Sequence, residues 1–107
     1  GILHANDGVI NGKRILPEGW VSEATTPSNK PVMNGALYDG YPLGYQYQWW
    51  TFPDGSFEAQ GVFGQFIFVN REENLVIATT SAWPEAWILN KELEFYALVE
   101  AVRKVTR

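Results

Sequence analysis

The sequence contains no cysteine, one histidine and one methionine among its 107 residues. Without cysteine the chain can form no disulfide and offers no thiolate ligand to a metal ion. Zinc and other transition-metal sites are built from several His and Cys side chains, so a single histidine does not predict one. We therefore predict no metal and no cofactor for this chain.

Long apolar runs and excess positive charge are also absent. No run of about 18 apolar residues occurs, so the sequence predicts no transmembrane helix. The net charge of -4 argues against nucleic acid and against anionic membrane surfaces as partners. The first residues, GILHANDG, have neither the charged nor the apolar part of a signal peptide and no initiating Met. They read as the end of a helix and a turn, which indicates a chain that begins in mid-fold.

Motifs that carry a nucleophile are missing as well. The chain contains no G-x-S-x-G, no P-loop, and no serine followed three residues later by lysine. Nothing therefore resembles an activated nucleophile with a neighbouring base. Among the carboxylates, Glu85 lies between two tryptophans. It is either a partly buried acid or an acid in the first turn of the last helix, where the helix dipole favours negative charge.

Aromatic residues are abundant, at 15% of the chain, within a hydrophobic content of 46%. This composition and the chain length predict one folded domain with a modest core. The segment GYQYQWW, residues 44–50, alternates along its length and predicts a strand. Trp49 and Trp50 then point to opposite faces, where both pack in the core or one of them lines a pocket.

The remaining pattern predicts an α+β fold. Asn11-Gly12 predicts a small hairpin, residues 17–25 a short helix that ends before Pro27, and residues 27–43 a long loop. We expect three strands, residues 44–50, 65–69 and 75–79, in an antiparallel meander. An amphipathic helix at the C-terminus covers the sheet with one apolar stripe, formed by Ile88, Phe95, Leu98, Val99, Val102 and Val105 and widened by Leu89, Leu93 and Tyr96.

Two glycines interrupt the apolar segment of residues 57–70, in the order Gly61-Val62-Phe63-Gly64. Glycine inside a strand usually marks a bulge or a close approach of another backbone or a ligand. One interpretation is a strand edge exposed around Val62, whose backbone N–H can form half of an oxyanion hole. The other is a β-bulge that relieves crowding among the aromatic residues. The residue pattern leaves both open.

Four segments in this order carry a resemblance to a known family: DGVINGKRILPEGW, GYQYQWW, AQGVFGQFIFVNREENLVIATTS and the amphipathic helix. Together they resemble the C-terminal portion of the serine β-lactamase-like hydrolases. The likeness is greatest to the class C-like enzymes and esterases of the 6-aminohexanoate-dimer hydrolase type. The resemblance covers nearly all of residues 1–107 and implies a partial β-lactamase-like fold.

The resemblance also implies where a site lies. The family uses a Ser-x-x-Lys, a Tyr-x-Asn or Ser-x-Asn, and a Lys-Thr-Gly on the strand that borders the pocket. The third element falls on Ala59-Gln60-Gly61, so its Lys and Thr are missing, and Val62 would provide the second N–H of the oxyanion hole. Gly61 would give a substrate room along the strand. The implied substrate contacts are Gly61, Gln60, Trp49, Trp50 and Tyr41, the last from the loop of residues 38–41.

The first two family elements do not occur in these 107 residues. The resemblance therefore implies that the chain is part of a hydrolase of small amides or esters that acts through an acyl-enzyme. On its own, the chain is expected to be inactive. The missing Lys and Thr favour an esterase or amidase of linear substrates over a true β-lactamase. Two alternatives are an aromatic ligand-binding module that uses Trp49 or Trp50, and a purely structural excised subdomain. Bared strand edges predict that the isolated chain forms a homodimer or larger assembly.

Overall fold

A computed structural model describes residues 1–27, 33–34 and 42–106. These residues form a six-stranded antiparallel sheet, a separate two-stranded hairpin and three helices, which confirms the α+β class and the C-terminal helix. In chain order the elements are α1 (Ile2–Ala5), β1 (Val9–Ile10), β2 (Lys13–Arg14), α2 (Trp20–Thr25), β3 (Met33–Asn34), β4 (Pro42–Gln46), β5 (Trp49–Thr51), β6 (Phe57–Gly61), β7 (Gln65–Asn70), β8 (Leu75–Thr79) and α3 (Leu89–Thr106).

The hairpin and the end of the short helix predicted for the first 27 residues are confirmed, whereas the helix begins at Trp20 and not at residue 17, after Gly19 with its left-handed φ of 82°. Asn11 and Gly12 have φ angles of 50° and 76° and join β1 to β2, because both residue types tolerate the positive φ that this tight turn requires. Helix α2 ends at Thr25, two residues before Pro27. The loop predicted over residues 27–43 is not entirely irregular, since β3 and the start of β4 lie within it.

The prediction of a single strand over residues 44–50 is wrong. Tyr47 and Gln48 have φ angles of 46° and 71° and form a two-residue turn between β4 and β5. Positive φ at both turn residues matches the twist of an antiparallel hairpin. The turn makes Tyr45 and Trp50 cross-strand partners, which the alternating pattern did not predict. Trp49 and Trp50 still point to opposite faces, as expected of neighbours in one strand.

The segment of residues 57–70 is a hairpin rather than one strand with a bulge. Strand β6 ends at Gly61, residues 62–64 turn, and β7 begins at Gln65, with Gly61 and Gln65 as the last cross-strand pair. Phe63 and Gly64 have φ angles of 61° and 90°. The sheet has six described strands in the order β3-β4-β5-β6-β7-β8, and not the three predicted, since residues 44–50 form parts of two strands and neither β6 nor β3 was predicted.

Both faces of the central strands are covered. Phe66 and Phe68 of β7 pack against Phe95 and Val99 of α3, and the rings of Phe66 and Phe95 stack with centroids 4.2 Å apart. On the other face, Val69 and Ile67 of β7 pack with Phe57 of β6 against Val21 of α2 and Ala5 of α1. A strand covered on both faces needs apolar side chains on both, which explains why β7 is not alternating.

The apolar stripe predicted for α3 is only partly the buried face. Phe95 and Val99 are buried, whereas Leu98 is 47% and Val105 85% exposed. Leu89 and Leu93 are exposed as well. The sheet side of α3 instead contains Glu92, which is fully buried, and Arg103, which is 12% exposed.

Arg103 ties the end of α3 to two loops of the sheet. Its Nε and Nη2 donate to the two carboxylate oxygens of Glu73 at 2.8 and 2.9 Å, and Nη2 also donates to Asp54 Oδ2 at 3.1 Å. Asp54 lies between β5 and β6, and Glu73 between β7 and β8. The hydrogen bonds to Glu73 raise the pKa of the Arg103 guanidinium, and the negative charges of Asp54, Glu73 and Glu100 add to this rise.

No helix in the described ranges is both long enough and apolar enough to cross a membrane.

Gly64→Ala is expected to destabilise the chain more than Gly55→Ala. Both glycines have positive φ, 90° and 87°, so both variants lose about 1–2 kcal/mol from the backbone conformation. A Cβ at Gly64 would lie 2.5 Å from Trp83 Cε2, whereas one at Gly55 would meet nothing within 4 Å. Overpacking adds about 1–3 kcal/mol at Gly64 alone. Urea unfolding followed by tryptophan fluorescence measures the difference, and equal losses in the two variants would contradict the close contact with Trp83.

Candidate functional site

The end of strand β6 lacks a neighbouring strand on one side. All five residues of β6 pair with β7, but only Phe57 and Glu58 pair with β5. Gln60 and Gly61 therefore extend past β5, and no strand in the described part of the chain pairs with residues 59–61 on that side. An unpaired strand edge presents backbone N–H and C=O groups to whatever binds beside it.

The turn that follows β6 is held by the segment after β8. The Phe63 N–H donates to the Ala86 carbonyl at 2.8 Å, and the Trp83 N–H donates to the Phe63 carbonyl at 3.2 Å. Gln65 adds a side-chain contact, since its Nε2 donates to the Ser81 carbonyl at 2.7 Å and its Oε1 accepts from the Ser81 N–H at 3.3 Å. Both the N–H and the carbonyl of Phe63, at the centre of the turn, are therefore held by backbone groups of residues 83–86.

Val62 and Gly64 are the residues of this turn whose N–H groups have no acceptor within the described structure, and Val62 is the one that directly follows the open end of β6. The Phe63 N–H is committed to Ala86, whereas no acceptor among the described residues receives the Val62 N–H. The Val62 side chain is 63% exposed, so the residue lies at the surface as the exposed-edge interpretation predicts. A preorganised and unpaired backbone N–H is the kind of group that stabilises a developing oxyanion.

Gly61 is constrained by its own sheet. A Cβ at this position would lie 3.0 Å from the Cβ of its cross-strand partner Gln65, which is tighter than an ordinary contact. The hairpin geometry therefore already accounts for a glycine here. That Gly61 also gives a substrate room stays a prediction.

The two tryptophans predicted to line a pocket have different surroundings. Trp49 packs edge-to-face on Phe57 at 5.0 Å and on His4 at 4.9 Å, on the side of the sheet that α1 and α2 cover. Trp50 lies on the other face, with its ring 4.7 Å from that of its partner Tyr45, which is 42% exposed. Trp49 is thus part of a core cluster, and Trp50 with Tyr45 forms a half-exposed aromatic pair. Tyr41 and the loop of residues 38–41 lie outside the described residues.

A buried polar cluster lies between β6 and α3, on the face that carries Gln60. Glu58 is 0% exposed, and its Oε1 accepts hydrogen bonds from the Tyr96 hydroxyl and from Gln60 Nε2. Glu92 is also 0% exposed and accepts a hydrogen bond from Trp87 Nε1 at 2.5 Å. We refer to Glu58, Gln60, Glu92 and Tyr96 as the acid cluster. It brings two carboxyl groups into the interior without a cation partnered to Glu58 in the described ranges.

Burial raises the pKa of Glu58 to about 7, against 4.5 for an ordinary Glu. The hydrogen bonds from Tyr96 and Gln60 oppose this rise, because they stabilise the carboxylate, and the negative charge of Glu92 adds to it. Glu58 Oε2 is buried and has no hydrogen-bond partner in the structure. A buried carboxylate oxygen without a donor is costly, so the neutral acid is favoured.

The acid cluster was not predicted from the sequence. Glu58 lies between Phe57 and Ala59 in β6, whose sequence FEAQG also contains Gln60, so the pattern was only a weak signal for a buried acid. Glu85 was considered instead, and it is exposed and lies in a bend four residues before α3 begins at Leu89. The described residues contain no group of three or more His, Asp or Glu side chains arranged to hold a metal ion.

The chain is similar to known proteins both by sequence and by structure, while no protein-family model matches it. A 6-aminohexanoate-dimer hydrolase of Paenarthrobacter ureafaciens is 27% identical over 89 residues, which are 79% of this chain and 23% of that protein. A solved structure described as a "putative 6-aminohexanoate-dimer hydrolase from Bacillus anthracis" superposes with a TM-score of 0.69 and 25% identity, over 97% of this chain and 26% of that one.

The two comparisons confirm the resemblance read from the sequence. Both relatives carry the name 6-aminohexanoate-dimer hydrolase, which denotes a serine β-lactamase-like family, and the likeness extends over most of this chain. The chain spans about a quarter of the length of each relative.

The raised pKa of Glu58 predicts that the chain loses stability as the pH rises. The group binds its proton more tightly in the folded state than in the unfolded state, so its contribution is complete below about pH 4.5 and is lost through about pH 7. The loss amounts to about 3 kcal/mol at about 1.4 kcal/mol per pKa unit. Glu58→Gln, which cannot ionise, is expected to remove this dependence.

Urea unfolding between pH 4 and pH 9 measures this pH dependence as the difference in the free energy of unfolding between wild type and Glu58→Gln. Glu94→Gln is the matched control, because Glu94 lies on α3 but is exposed, and it should keep the wild-type slope. Identical pH slopes for wild type and Glu58→Gln would show that Glu58 titrates normally.

Proposed function

We propose that this chain is the C-terminal part of a serine hydrolase that cleaves small linear amides or esters through an acyl-enzyme. The observation that carries the proposal is the unpaired Val62 N–H at the open end of β6. It follows Ala59-Gln60-Gly61, where the sequence resembles the Lys-Thr-Gly strand of β-lactamase-like hydrolases. The likeness to 6-aminohexanoate-dimer hydrolases over most of the chain supports the same reaction class.

In this proposal the nucleophile and base belong to the rest of the protein, as a Ser-x-x-Lys and a Tyr-x-Asn. The base takes the serine proton while the serine oxygen attacks the substrate carbonyl carbon. The carbonyl oxygen becomes an oxyanion that accepts hydrogen bonds from the Val62 N–H and from the N–H of the serine. The intermediate collapses and expels a protonated amine or alcohol, and water then releases the acid from the acyl-enzyme.

The substrate class follows from the residues that replace the family motif. Ala59 and Gln60 stand where Lys and Thr would lie, so this strand offers no cation for the carboxylate of a β-lactam. We therefore propose uncharged amide or ester groups as substrates, lying along residues 59–61. The pair of Trp50 and Tyr45 is the better candidate for a pocket wall, because Trp49 is packed on Phe57 and His4. Tyr41 completes the proposed contacts.

A ligand-binding module without catalysis is the second candidate. The half-exposed Tyr45–Trp50 pair favours it, since aromatic rings at a surface can hold a sugar ring or an apolar ligand. It does not require the Val62 N–H, and this separates the two functions experimentally.

Val62→Pro is expected to lower kcat by about 100- to 1000-fold in the longer protein that contains the serine, because proline has no N–H for the oxyanion. Val62→Ala keeps the N–H and should retain most of the activity, which makes it the matched control. Hydrolysis of p-nitrophenyl esters and of linear amides measures both. The isolated chain is the negative control and should form no acyl adduct. Equal activity of the Pro and Ala variants would refute the oxyanion role.

We further propose that the isolated chain assembles into a homodimer or larger species. Strand β8 is the last strand of the described sheet, so one of its edges has no partner strand. Nearby, Leu98 and Val105 leave the outer side of α3 apolar and exposed. In relatives about four times as long, such surfaces have further chain available to cover them.

Sedimentation velocity over a range of concentrations tests the assembly. We expect the wild-type chain to sediment as a dimer or larger species and Leu98→Glu to shift it toward monomer, because a charge on this face opposes burial. Glu94→Gln is again the control and should leave the assembly unchanged. A wild-type chain that stays monomeric at high concentration would contradict the proposal.

A further inference from the structure

The open end of β6 is restrained by two sets of contacts. One is the ladder to β7, which pairs Gln60 with Phe66 and Gly61 with Gln65. The other is the side chain of Gln60, whose Nε2 donates to Glu58 Oε1 at 2.5 Å and lies 3.3 Å from the Tyr96 hydroxyl of α3. Strand β5 does not pair with Gln60 or Gly61. The contacts of the Gln60 side chain with the acid cluster therefore hold this end of β6 on the side that lacks a strand.

Glu58 is the member on which this contact depends. Its Oε1 receives both the Tyr96 and the Gln60 hydrogen bonds, so it joins α3 to the residue directly before Gly61. Its Oε2 is buried and receives none. A protonated Oε2 needs an acceptor and an ionised Oε2 needs a donor, so a change in the protonation of Glu58 changes which group this buried oxygen requires from water or a rearranged side chain.

We propose that Glu58 is a positioning residue for the Val62 N–H: its carboxyl holds Gln60 and the end of β6 in place, and a change in its protonation shifts them. The catalytic meaning of this coupling rests on the proposed function, because that function gives the Val62 N–H its task. The structural coupling itself rests only on the contacts of Glu58 and Gln60.

The groups that face Glu58 determine at which pH its carboxyl ionises. From α3 it faces Glu92 and Tyr96, of which Glu92 disfavours a second negative charge. On its own strand it contacts Gln60, and its register partners are Trp50 of β5 and Phe68 of β7, none of which is charged. Burial and these neighbours raise the pKa of Glu58 to about 7, so the coupling falls within the physiological range.

Nuclear magnetic resonance on the 107-residue chain tests the coupling directly. The side-chain carboxyl carbon of Glu58 and the amide signals of Gly61 and Val62 are followed from pH 4 to pH 9. We expect all three to move together with a midpoint near 7. In Glu58→Gln the amides of Gly61 and Val62 should lose this step. A Glu58 carbon that titrates near 4.5, or amides that do not follow it, would overturn the proposal.

Two further variants separate positioning from general destabilisation. Tyr96→Phe keeps the ring contacts but removes a donor that stabilises the carboxylate, so it should shift the midpoint at Gly61 and Val62 to higher pH. His4→Asn removes the one histidine, which contacts Trp49 on the other face of the sheet, and should leave the midpoint unchanged. A midpoint that moves in His4→Asn and not in Tyr96→Phe would assign the titration to His4 and refute the role of Glu58.

The wild-type titration requires no variant, so the proposal is testable even where Glu58→Gln fails to fold. The outcome is also independent of the hydrolase proposal. Loss of activity in the longer protein would refute the function without altering the titration of Gly61 and Val62. A missing titration would refute the positioning role while leaving the Val62→Pro result as it stands.

Discussion

The proposed site depends on the hydrogen bonds that hold the turn of residues 62–64 against residues 83–86, which we refer to as the clamp. Phe63 exchanges hydrogen bonds with Ala86 and Trp83, and Gly64 lies so close to Trp83 that no side chain fits there. The clamp uses the Phe63 N–H and leaves the Val62 N–H unpaired within the described structure. A turn fixed in this way requires no reorganisation when charge develops on a bound carbonyl, which is the condition for effective oxyanion stabilisation.

The acid cluster connects this end of the sheet to α3. Hydrophobic contacts such as Phe66 on Phe95 hold the helix on the sheet, but they do not restrain residues 59–61. The bond between Gln60 and Glu58 adds a restraint to the ladder with β7, at the cost of a buried carboxyl with one unsatisfied oxygen. A domain of this size has little stability to spare, so an unsatisfied group in its core is more readily explained by a role than by chance.

Much of the fold could be predicted from the sequence, because local rules suffice where the residue types are strong signals. Asn11-Gly12 predicted its turn, and the long apolar periodicity predicted α3. The turn at Tyr47-Gln48 could not be predicted, because neither residue favours positive φ and the alternation around it is that of a strand. The exposure of Leu98 and Val105 was not predicted. An apolar stripe on a helix does not show how much of its length the sheet covers.

The candidate site was predictable only in part. The two glycines and the family resemblance pointed to Val62, and the structure adds the unpaired edge and the clamp that make its N–H available. Glu58, Gln60 and Tyr96 come from β6 and from α3, more than 30 residues apart, and no local pattern links them. Their meeting depends on the packing of α3 over the sheet, which the sequence does not specify residue by residue.

We propose that this chain completes the site of a serine hydrolase whose nucleophile lies elsewhere in the protein. Sequencing the coding region upstream of Gly1 tests this proposal most directly. We expect an open reading frame that encodes a Ser-x-x-Lys followed by a Tyr-x-Asn or Ser-x-Asn. A start codon immediately before Gly1 would contradict it, because the chain would then be a protein without a nucleophile, and a binding or structural role would take the place of hydrolysis.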